Sequence, residues 1–261
     1  MAGADTADTG ALPLLELAGR IATITLRRPL VANRLEIEDL TALQQQLAHV
    51  NALPEVLVLR LVSSGRHFCS GFNIGSVGAE GIDAGALFEA VADALEAARP
   101  VTIAVIQGGV YGGATDLALA CDFRIGTPSS EMFVPAARLG LHFYRGGLER
   151  YVSRLGLSVA KRVLLAGETL DAQAMRDCGF LDTLVGTERE LLPAAERLSA
   201  TLAGMAPLAL LGMKKHLNRI ARGTLDAAEI ASDIAAANAS QDLREGQQAW
   251  QQKRPPRFRG D

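Results

Sequence analysis

The stretch that decides the fold is VTIAVIQGGVYGGATDLALACD, residues 101–122. Its first six residues are all apolar except one threonine, which predicts a buried strand over 101–106. A glycine-rich turn follows and leads directly into an apolar helix. Such a turn exposes backbone N–H groups at the beginning of the helix, where they can bind an anion or a developing oxyanion.

An earlier segment repeats this layout. VLVLRLV (56–62) predicts a buried strand, and the glycine-containing loop HFCSGFN (67–73) follows it. One such loop is a weak functional signal, but two loops after two adjacent strands can bring two N–H donors together, as in an oxyanion hole. Neither loop matches the glycine patterns of nucleotide-binding loops, so nucleotide phosphate sites of those kinds are not indicated.

The remaining pattern predicts an α/β protein with a mainly helical C-terminal part. A hairpin is expected over 14–28, and helices over 36–48 and 85–98 flank the strand at 56–62. After a short strand at 123–126, the pattern is almost wholly helical, with helices predicted over 147–155, 158–166, 171–178, 188–204, 207–221 and 226–239. We expect a flexible N-terminal tail over 1–13, a core over 14–200 and a helical C-terminal segment over 201–261.

Composition excludes several classes of protein. The chain has 261 residues, 21% of them charged, and a net charge of −3, which argues against general disorder and weakly against a nucleic-acid surface. No apolar run approaches the ~20 residues that a membrane span needs, and the N-terminus lacks the features of a secretory signal. The three cysteines and four histidines are scattered, so we expect no metal site, no disulfide framework and a cytoplasmic location.

Six segments, in order, resemble motifs of the crotonase superfamily, also called the enoyl-CoA hydratase/isomerase family. The resemblance covers about residues 14–259 and is carried by RPLVANRL (28–35), HFCSGFNI (67–74), VYGGATDLALACD (110–122), VPAARLGL (134–141), LAGETLDAQAMRDCGFLDTLV (165–185) and QDLREGQQAWQQKRPPRFRG (241–260). It implies a spiral of ββα units with a helical C-terminal trimerisation segment. A homotrimer, or a hexamer formed as a dimer of trimers, is therefore expected.

The resemblance also implies a substrate and a way to bind it. The substrate would be an acyl-CoA thioester, with no further cofactor. The backbone N–H groups of Phe72 and Gly113 would form the oxyanion hole that stabilises the thioester enolate. Contacts to the substrate and its coenzyme A would come from Phe72, Asn73, Ile74, Gly75, Gly113 and Lys253.

The acids of the family are only partly retained. Asp116 stands where hydratases of the family carry their first catalytic glutamate, so it is the expected proton-transfer group. The second glutamate falls on Ala136, which cannot transfer a proton. Tyr144 and His142, just beyond it in the chain, are the candidates for a replacement polar group.

The missing acid leaves the reaction open. Enoyl-CoA hydration is the nominal expectation, and decarboxylation or enoyl/dienoyl-CoA isomerisation is the alternative, because these need the oxyanion hole but not both acids. A non-catalytic CoA-binding or RNA-binding member of the family is a third possibility. The retained Asp116 and the acidic net charge favour an enzyme over that third possibility.

Overall fold

The described part of the chain begins with the predicted hairpin. The computed structural model describes residues 10–73, 75 and 83–261. Strands β1 (Ala11–Ala18) and β2 (Ile21–Arg27) pair antiparallel around Gly19, whose φ of 58° suits glycine. Residues 1–9 of the predicted tail lie outside the described residues, whereas residues 11–13 are part of β1.

Two strand–helix units build the centre of the molecule. Helix α1 (Ile37–Asn51) leads to strand β3 (Val58–Ser63), and helix α2 (Ala84–Glu96) leads to strand β4 (Val101–Ile106). Both strands are parallel to β2 and to each other. Their carboxyl ends therefore lie at the same edge of the sheet, and the two glycine-containing loops begin there.

The second glycine-rich loop contains a strand that the sequence did not predict. Strand β5 (Gly109–Tyr111) is followed by helix α3 (Gly113–Ala120) and by strands β6 (Phe123–Gly126) and β7 (Glu131–Phe133). Three residues with two glycines nearby carry no strand pattern of their own. They become a strand because β7 pairs with them in parallel.

The next segment is helical, as the sequence predicts. The helices expected over 147–155 and 158–166 both lie within α4 (Arg145–Leu164), and Gly156 divides them, because its φ of 76° and ψ of 159° are not helical. It is followed by strand β8 (Leu170–Asp171), helix α5 (Ala172–Asp177), strand β9 (Thr183–Leu184) and helix α6 (Leu191–Ala203).

The strands form two sheets. The larger has the order β1-β2-β3-β4-β6-β9, parallel apart from the hairpin, and the smaller has the order β5-β7-β8. Helices α1, α2 and α3 pack on one another and contribute to the main apolar core. A second core lies between the sheet and α6. The sheet therefore lies between two packed layers. The loops after β3 and β4 begin at the edge of this fixed sheet.

Three helices end the chain: α7 (Pro207–Ala221), α8 (Ala227–Ala239) and α9 (Gln241–Gln252). Helix α9 was recognised in the sequence only as a family motif, not by its helical spacing. The segment after it returns to α9, because Arg259 N and Gly260 N donate hydrogen bonds to the Asp242 carboxylate at 2.7 and 2.8 Å. No helix in the described part of the chain has both the length and the apolar character of a membrane span.

Candidate active site

The two glycine-containing loops meet beyond the sheet. Tyr111 N donates a hydrogen bond to Cys69 O at 2.9 Å, which ties the loops together. At Gly71, with φ of 88°, a Cβ atom would lie 2.9 Å from Tyr111 O and 3.1 Å from Gly113 N. Glycine is therefore required at Gly71 both for its backbone conformation and for the close approach of the second loop.

The segment RPLVANRL supports the first loop from behind. The Asn33 side chain is buried, and its Nδ2 donates hydrogen bonds to Ser64 O at 2.8 Å and His67 O at 2.9 Å. Leu35 then pairs with the loop as a short parallel bridge, with Leu35 N donating to Gly71 O at 2.8 Å. The loop backbone is thus fixed by a buried amide and by a neighbouring strand-like segment.

Two backbone N–H groups are left available where the loops meet. Within the described residues, neither Phe72 N nor Gly113 N donates a hydrogen bond to another group of the chain. Gly113 is the first residue of α3, so its N–H lies before the first hydrogen bond of the helix. Two unpaired donors on adjoining loops are the arrangement that can bind a carbonyl or enolate oxygen.

An aromatic side chain that the sequence did not single out packs beside these donors. A Cβ atom at Gly113 would lie 2.7 Å from Cζ of Phe88, so the Phe88 ring contacts the glycine backbone directly. The ring centroid of Phe88 lies 6.5 Å from that of Phe72 and 6.0 Å from that of Tyr144. Phe88 therefore forms an apolar wall between the two loops and α4.

Asp116 lies one helical turn after Gly113 and is fully buried. Arg150 binds it in a bidentate manner: Nε donates to Oδ1 at 2.8 Å and Nη2 to Oδ2 at 2.6 Å. Both members of this ion pair have a solvent exposure of 0%. The carboxylate is thus held in a fixed plane by a planar, permanently charged donor.

The Tyr144 hydroxyl also donates a hydrogen bond to Asp116, at 2.5 Å to Oδ2. Burial, together with the negative charge and the hydrogen bond of Asp116, raises the pKa of Tyr144 well above its usual range. The residue is the N-cap of α4, and its ring stacks on Phe143 with centroids 5.1 Å apart. Tyr144 is therefore held as a neutral phenol with its proton directed at Asp116.

Arg150 is shared by further carboxylates. Its Nη1 donates to Asp93 Oδ1 at 2.6 Å and to Glu96 Oε2 at 3.1 Å. Burial alone would lower the pKa of Arg150, but the hydrogen bonds and charges of Asp116, Asp93 and Glu96 raise it instead. Glu96 also binds Arg154 of α4 and Arg222 at the end of α7. A continuous group of ion pairs therefore connects Asp116 to the C-terminal helices.

The structure brings together four of the predicted site residues: Phe72, Gly113, Asp116 and Tyr144. His142 does not join them: it is exposed, and its Nδ1 lies 2.7 Å from the carbonyl oxygen of Phe143. That contact is available because the residue lies in the exposed turn before α4, one position away from Phe143.

The residues expected to contact coenzyme A are only partly placed. Asn73 donates to Glu36 Oε2 at 2.8 Å and accepts a hydrogen bond from Gly75 N at 3.1 Å, so it shapes the loop end. Gly75 is exposed. Ile74 lies outside the described residues. Lys253 is exposed at the end of α9, and no contact in the described part of the chain links it to the cluster around Asp116.

The position of the missing second acid is occupied by a packed methyl group. Ala136 begins a short 3-10 turn and packs against the main apolar core. Within the described residues, no group of three or more histidine, cysteine or acidic side chains is arranged to hold a metal ion. Among the described residues, the polar groups that the structure brings together here are Asp116, Tyr144 and the two backbone donors.

Arg150 is the functional candidate that sequence reasoning missed. It lies on the buried face of α4 beside Tyr151, where a charged side chain requires a partner of opposite charge. That anomaly is visible in the sequence as a charged residue within the apolar pattern of the helix. Its partners are not visible there, because Asp116 lies 34 positions and Asp93 57 positions away in the chain.

Known proteins share both this sequence pattern and this fold. A family model described as enoyl-CoA hydratase/isomerase matches residues 16–261. A crotonyl-CoA hydratase of Syntrophomonas wolfei is 29% identical over 94% of this chain and 96% of its own length. A Delta(3,5)-Delta(2,4)-dienoyl-CoA isomerase of Arabidopsis thaliana is 27% identical over 90% of this chain and 91% of its own length. The crystal structure of an enoyl-CoA hydratase from Bacillus anthracis superposes with a TM-score of 0.87 at 25% identity, over 96% of this chain and 100% of the other.

Proposed function

The chain belongs to the enoyl-CoA hydratase/isomerase family of the crotonase superfamily, an enzyme family, and on that premise we propose that it adds water to an enoyl-CoA through a single proton relay. The observation that carries this proposal is the hydrogen bond from Tyr144 to Asp116, one helical turn from the free N–H of Gly113. A pair of side chains able to transfer a proton therefore lies beside the candidate oxyanion hole.

The oxyanion hole would act on the thioester oxygen. Phe72 N and Gly113 N would donate hydrogen bonds to this oxygen, and these strengthen as negative charge builds up on it in the enolate. Asp116 does not take part in binding the oxygen, because a carboxylate would repel an enolate. Its role is proton transfer, together with Tyr144.

The proton would move along hydrogen bonds that are already in place. As the oxygen of a water molecule adds to the β-carbon, one water proton passes to Tyr144 Oη, and the Tyr144 proton passes to Asp116 Oδ2. The relay then reverses: Asp116 returns its proton to Tyr144, and Tyr144 protonates the α-carbon of the enolate. The raised pKa of Tyr144 favours this exchange over a free phenolate. One carboxylate thus suffices for hydration.

Isomerisation is a second candidate, and the similarity of the chain to a dienoyl-CoA isomerase favours it. The same relay can remove a proton from one carbon of an enoyl-CoA and return it to another, with no water and no second acid. The dienoyl-CoA isomerase relative shows that isomerases exist among similar chains. The two reactions differ only in whether a water molecule occupies the space beside Tyr144.

Turnover of defined thioesters tests these proposals. Purified protein is assayed with crotonyl-CoA, a 3-enoyl-CoA and a malonyl-type CoA, and the assays are repeated with Asp116→Asn. We expect turnover of one of the first two substrates and a loss of kcat of about 100-fold or more in the variant, the usual contribution of general acid–base catalysis. An unchanged rate in Asp116→Asn contradicts the relay. Binding of CoA esters without turnover supports a non-catalytic protein, and turnover of the malonyl substrate alone supports a decarboxylase.

The remaining expectations belong to the same proposal. Asn73, Ile74, Gly75 and Lys253 are proposed to contact coenzyme A, which is part of the substrate, and no separate cofactor is required. The protein is proposed to act in the cytoplasm as a homotrimer or a hexamer. Substitution of Lys253 by Met tests the coenzyme A contact: we expect a raised KM with an unchanged kcat.

A further inference from the structure

We propose that Arg150 is a positioning residue for the reaction, which holds the Asp116 carboxylate so that its Oδ2 atom faces the Tyr144 hydroxyl. This inference rests on the proposed acyl-CoA chemistry and assigns a role to a residue outside the substrate site. Arg150 itself touches Asp116 rather than the substrate. Its effect on the reaction therefore passes through Asp116 and Tyr144.

The first argument is the geometry of the ion pair. Two nitrogens of Arg150 bind the two oxygens of Asp116 at 2.8 and 2.6 Å. A planar fork of this kind fixes the plane of the carboxylate and not only its position. Because Tyr144 donates to the same Oδ2 atom that accepts from Nη2, a rotation of the carboxylate would disturb both hydrogen bonds together.

The second argument is that Arg150 is itself held from the other side. Asp93 Oδ1 and Glu96 Oε2 accept from Nη1, so the guanidinium cannot rotate without losing these contacts. Asp93 and Glu96 are on α2, Asp116 is on α3, and Arg150 is on α4. The orientation of Asp116 is therefore determined by three helices at once.

The third argument is the electrostatic balance of a buried site. Asp116 has no exposed surface, and a buried carboxylate without a counter-charge is strongly unfavourable. Arg150 is the cation in direct contact with it among the described residues. A lysine at this position would keep the positive charge but would lose the planar, bidentate contact with the carboxylate. It would therefore separate the effect of the charge from the effect of the geometry.

Two arginines on the same helix allow a matched comparison. Arg150→Lys is compared with Arg154→Lys: Arg154 lies one turn further along α4 and binds Glu96 and Cys121 O, but not Asp116. Both changes retain the positive charge on the same buried face. We expect Arg150→Lys to lower kcat at least about tenfold with KM changed less than about twofold, and Arg154→Lys to leave both near their original values.

A double-mutant cycle with Tyr144→Phe shows whether Arg150 acts through this hydroxyl. We expect Tyr144→Phe to lower kcat about 100-fold in the unaltered protein but much less in the Arg150→Lys background, because the hydroxyl is no longer aligned there. Should Arg150→Lys not fold, Arg150→Gln takes its place in the same cycle, because the glutamine amide can still donate to the Asp116 carboxylate but lacks the planar guanidinium.

The possible results are distinct. Non-additive losses with an unaffected Arg154→Lys support the inference. Additive losses, or equal losses in the two lysine variants, overturn it while the proposed function stands. If the unaltered protein turns over none of the three thioesters, the proposed function fails, and the inference that rests on it fails with it.

Discussion

Asp116 has little hydrogen-bonding capacity left for a substrate. A carboxylate offers about four lone-pair positions, and donors among the described residues occupy three of them: Arg150 Nε on Oδ1, and Arg150 Nη2 and the Tyr144 hydroxyl on Oδ2. The oxygen of Tyr144, in contrast, donates its proton and keeps its lone pairs for an approaching water or carbon acid. The phenol, rather than the carboxylate, is therefore the group we expect to meet the substrate.

A single relay has a consequence for isotope transfer. When one Tyr144–Asp116 pair both removes and returns the proton, part of the original hydrogen reappears in the product. We expect isomerisation of a 3-enoyl-CoA labelled with deuterium at the reacting carbon to leave measurable deuterium in the product in ordinary water, by mass spectrometry. Complete washout in the first turnover would indicate a second, independent acid.

The three tyrosines of the chain give a prediction about alkaline pH. Burial and the neighbouring Glu131 raise the pKa of Tyr111 to about 12, and burial is also the main factor that raises the pKa of Tyr144 and Tyr151. The unfolded chain ionises its tyrosines near pH ~10. As pH rises, the unfolded state therefore releases its tyrosine protons before the folded state does. The tyrosines do not change the free energy of unfolding below pH ~10, and they lower it as pH rises further.

The measurement follows tyrosinate absorbance and far-ultraviolet circular dichroism in one titration. We expect little tyrosinate near pH ~10.5 in the folded protein and a cooperative rise that coincides with loss of helix. The denatured chain, titrated in parallel, serves as the control. A gradual rise centred near pH ~10 with the helical signal intact would contradict the assigned environments.

At the scale of elements, the contact between the two loops depends on the absence of a side chain at Gly71. Gly71→Ala would place a methyl group against Tyr111 O and Gly113 N. Gly140→Ala is the matched control, because Gly140 also has a positive φ, of 71°, but no atom lies within 4 Å of its Cβ position. Both variants pay the backbone cost of about 1–2 kcal/mol, and only Gly71→Ala also pushes the loops apart.

We therefore expect Gly140→Ala to lower stability modestly and to keep its activity. Gly71→Ala should lose more stability and at least about tenfold in kcat, since a displacement near 1 Å at a reacting centre is costly. Denaturant unfolding and thioester assays provide the measurements. Equal activity in the two variants would show that the contact between the loops does not matter for catalysis.

The elements differ in how well the sequence predicts them. The strand at 101–106 and the helix at 207–221 were predicted with their observed limits, because each is a strongly patterned run between clear end signals. Strands β5, β7, β8 and β9 were not predicted, since each has only two or three residues, which carry no pattern and form a strand only through their partners. The two helices predicted on either side of Gly156 are both present within α4, since the backbone at Gly156 is not helical.

The site was predictable only where a motif lies within one loop. Phe72, Gly113 and Asp116 were predicted because the two glycine-containing segments resemble motifs of the family. Arg150 could not be connected to Asp116, because an ion pair between distant helices leaves no local pattern. Tyr144 was one of two candidates, and only the structure separates it from His142, which is exposed in the turn before α4, two residues before Tyr144.

At the scale of the whole molecule, each of the three C-terminal helices exposes large apolar side chains. Leu217 of α7, Ile234 of α8 and Trp250 of α9 are exposed by 65%, 54% and 86%. Where such side chains form a contiguous patch, they mark a surface that associates with another protein. They are consistent with the proposed assembly of this chain into trimers or hexamers.

Trp250 is the single tryptophan of the chain and therefore a direct probe of that assembly. We expect sedimentation to give a trimer or hexamer, and dilution to shift the tryptophan emission to longer wavelength as the ring enters water. Trp250→Ser should weaken assembly about tenfold or more. Leu30→Ser is the control, because Leu30 is 82% exposed outside these helices. A monomer at micromolar concentration would contradict the proposal.

The shared guanidinium of Arg150 limits how this protein can change by single substitutions. Replacing it with an uncharged residue leaves the buried Asp116 carboxylate without a counter-charge, and replacing Asp116 or Glu96 with an uncharged residue leaves excess positive charge among Arg150, Arg154 and Arg222. Each single step therefore passes through a destabilised variant. A laboratory library aimed at a new reaction in this site has to vary these positions as one unit, with charge-balanced combinations encoded together.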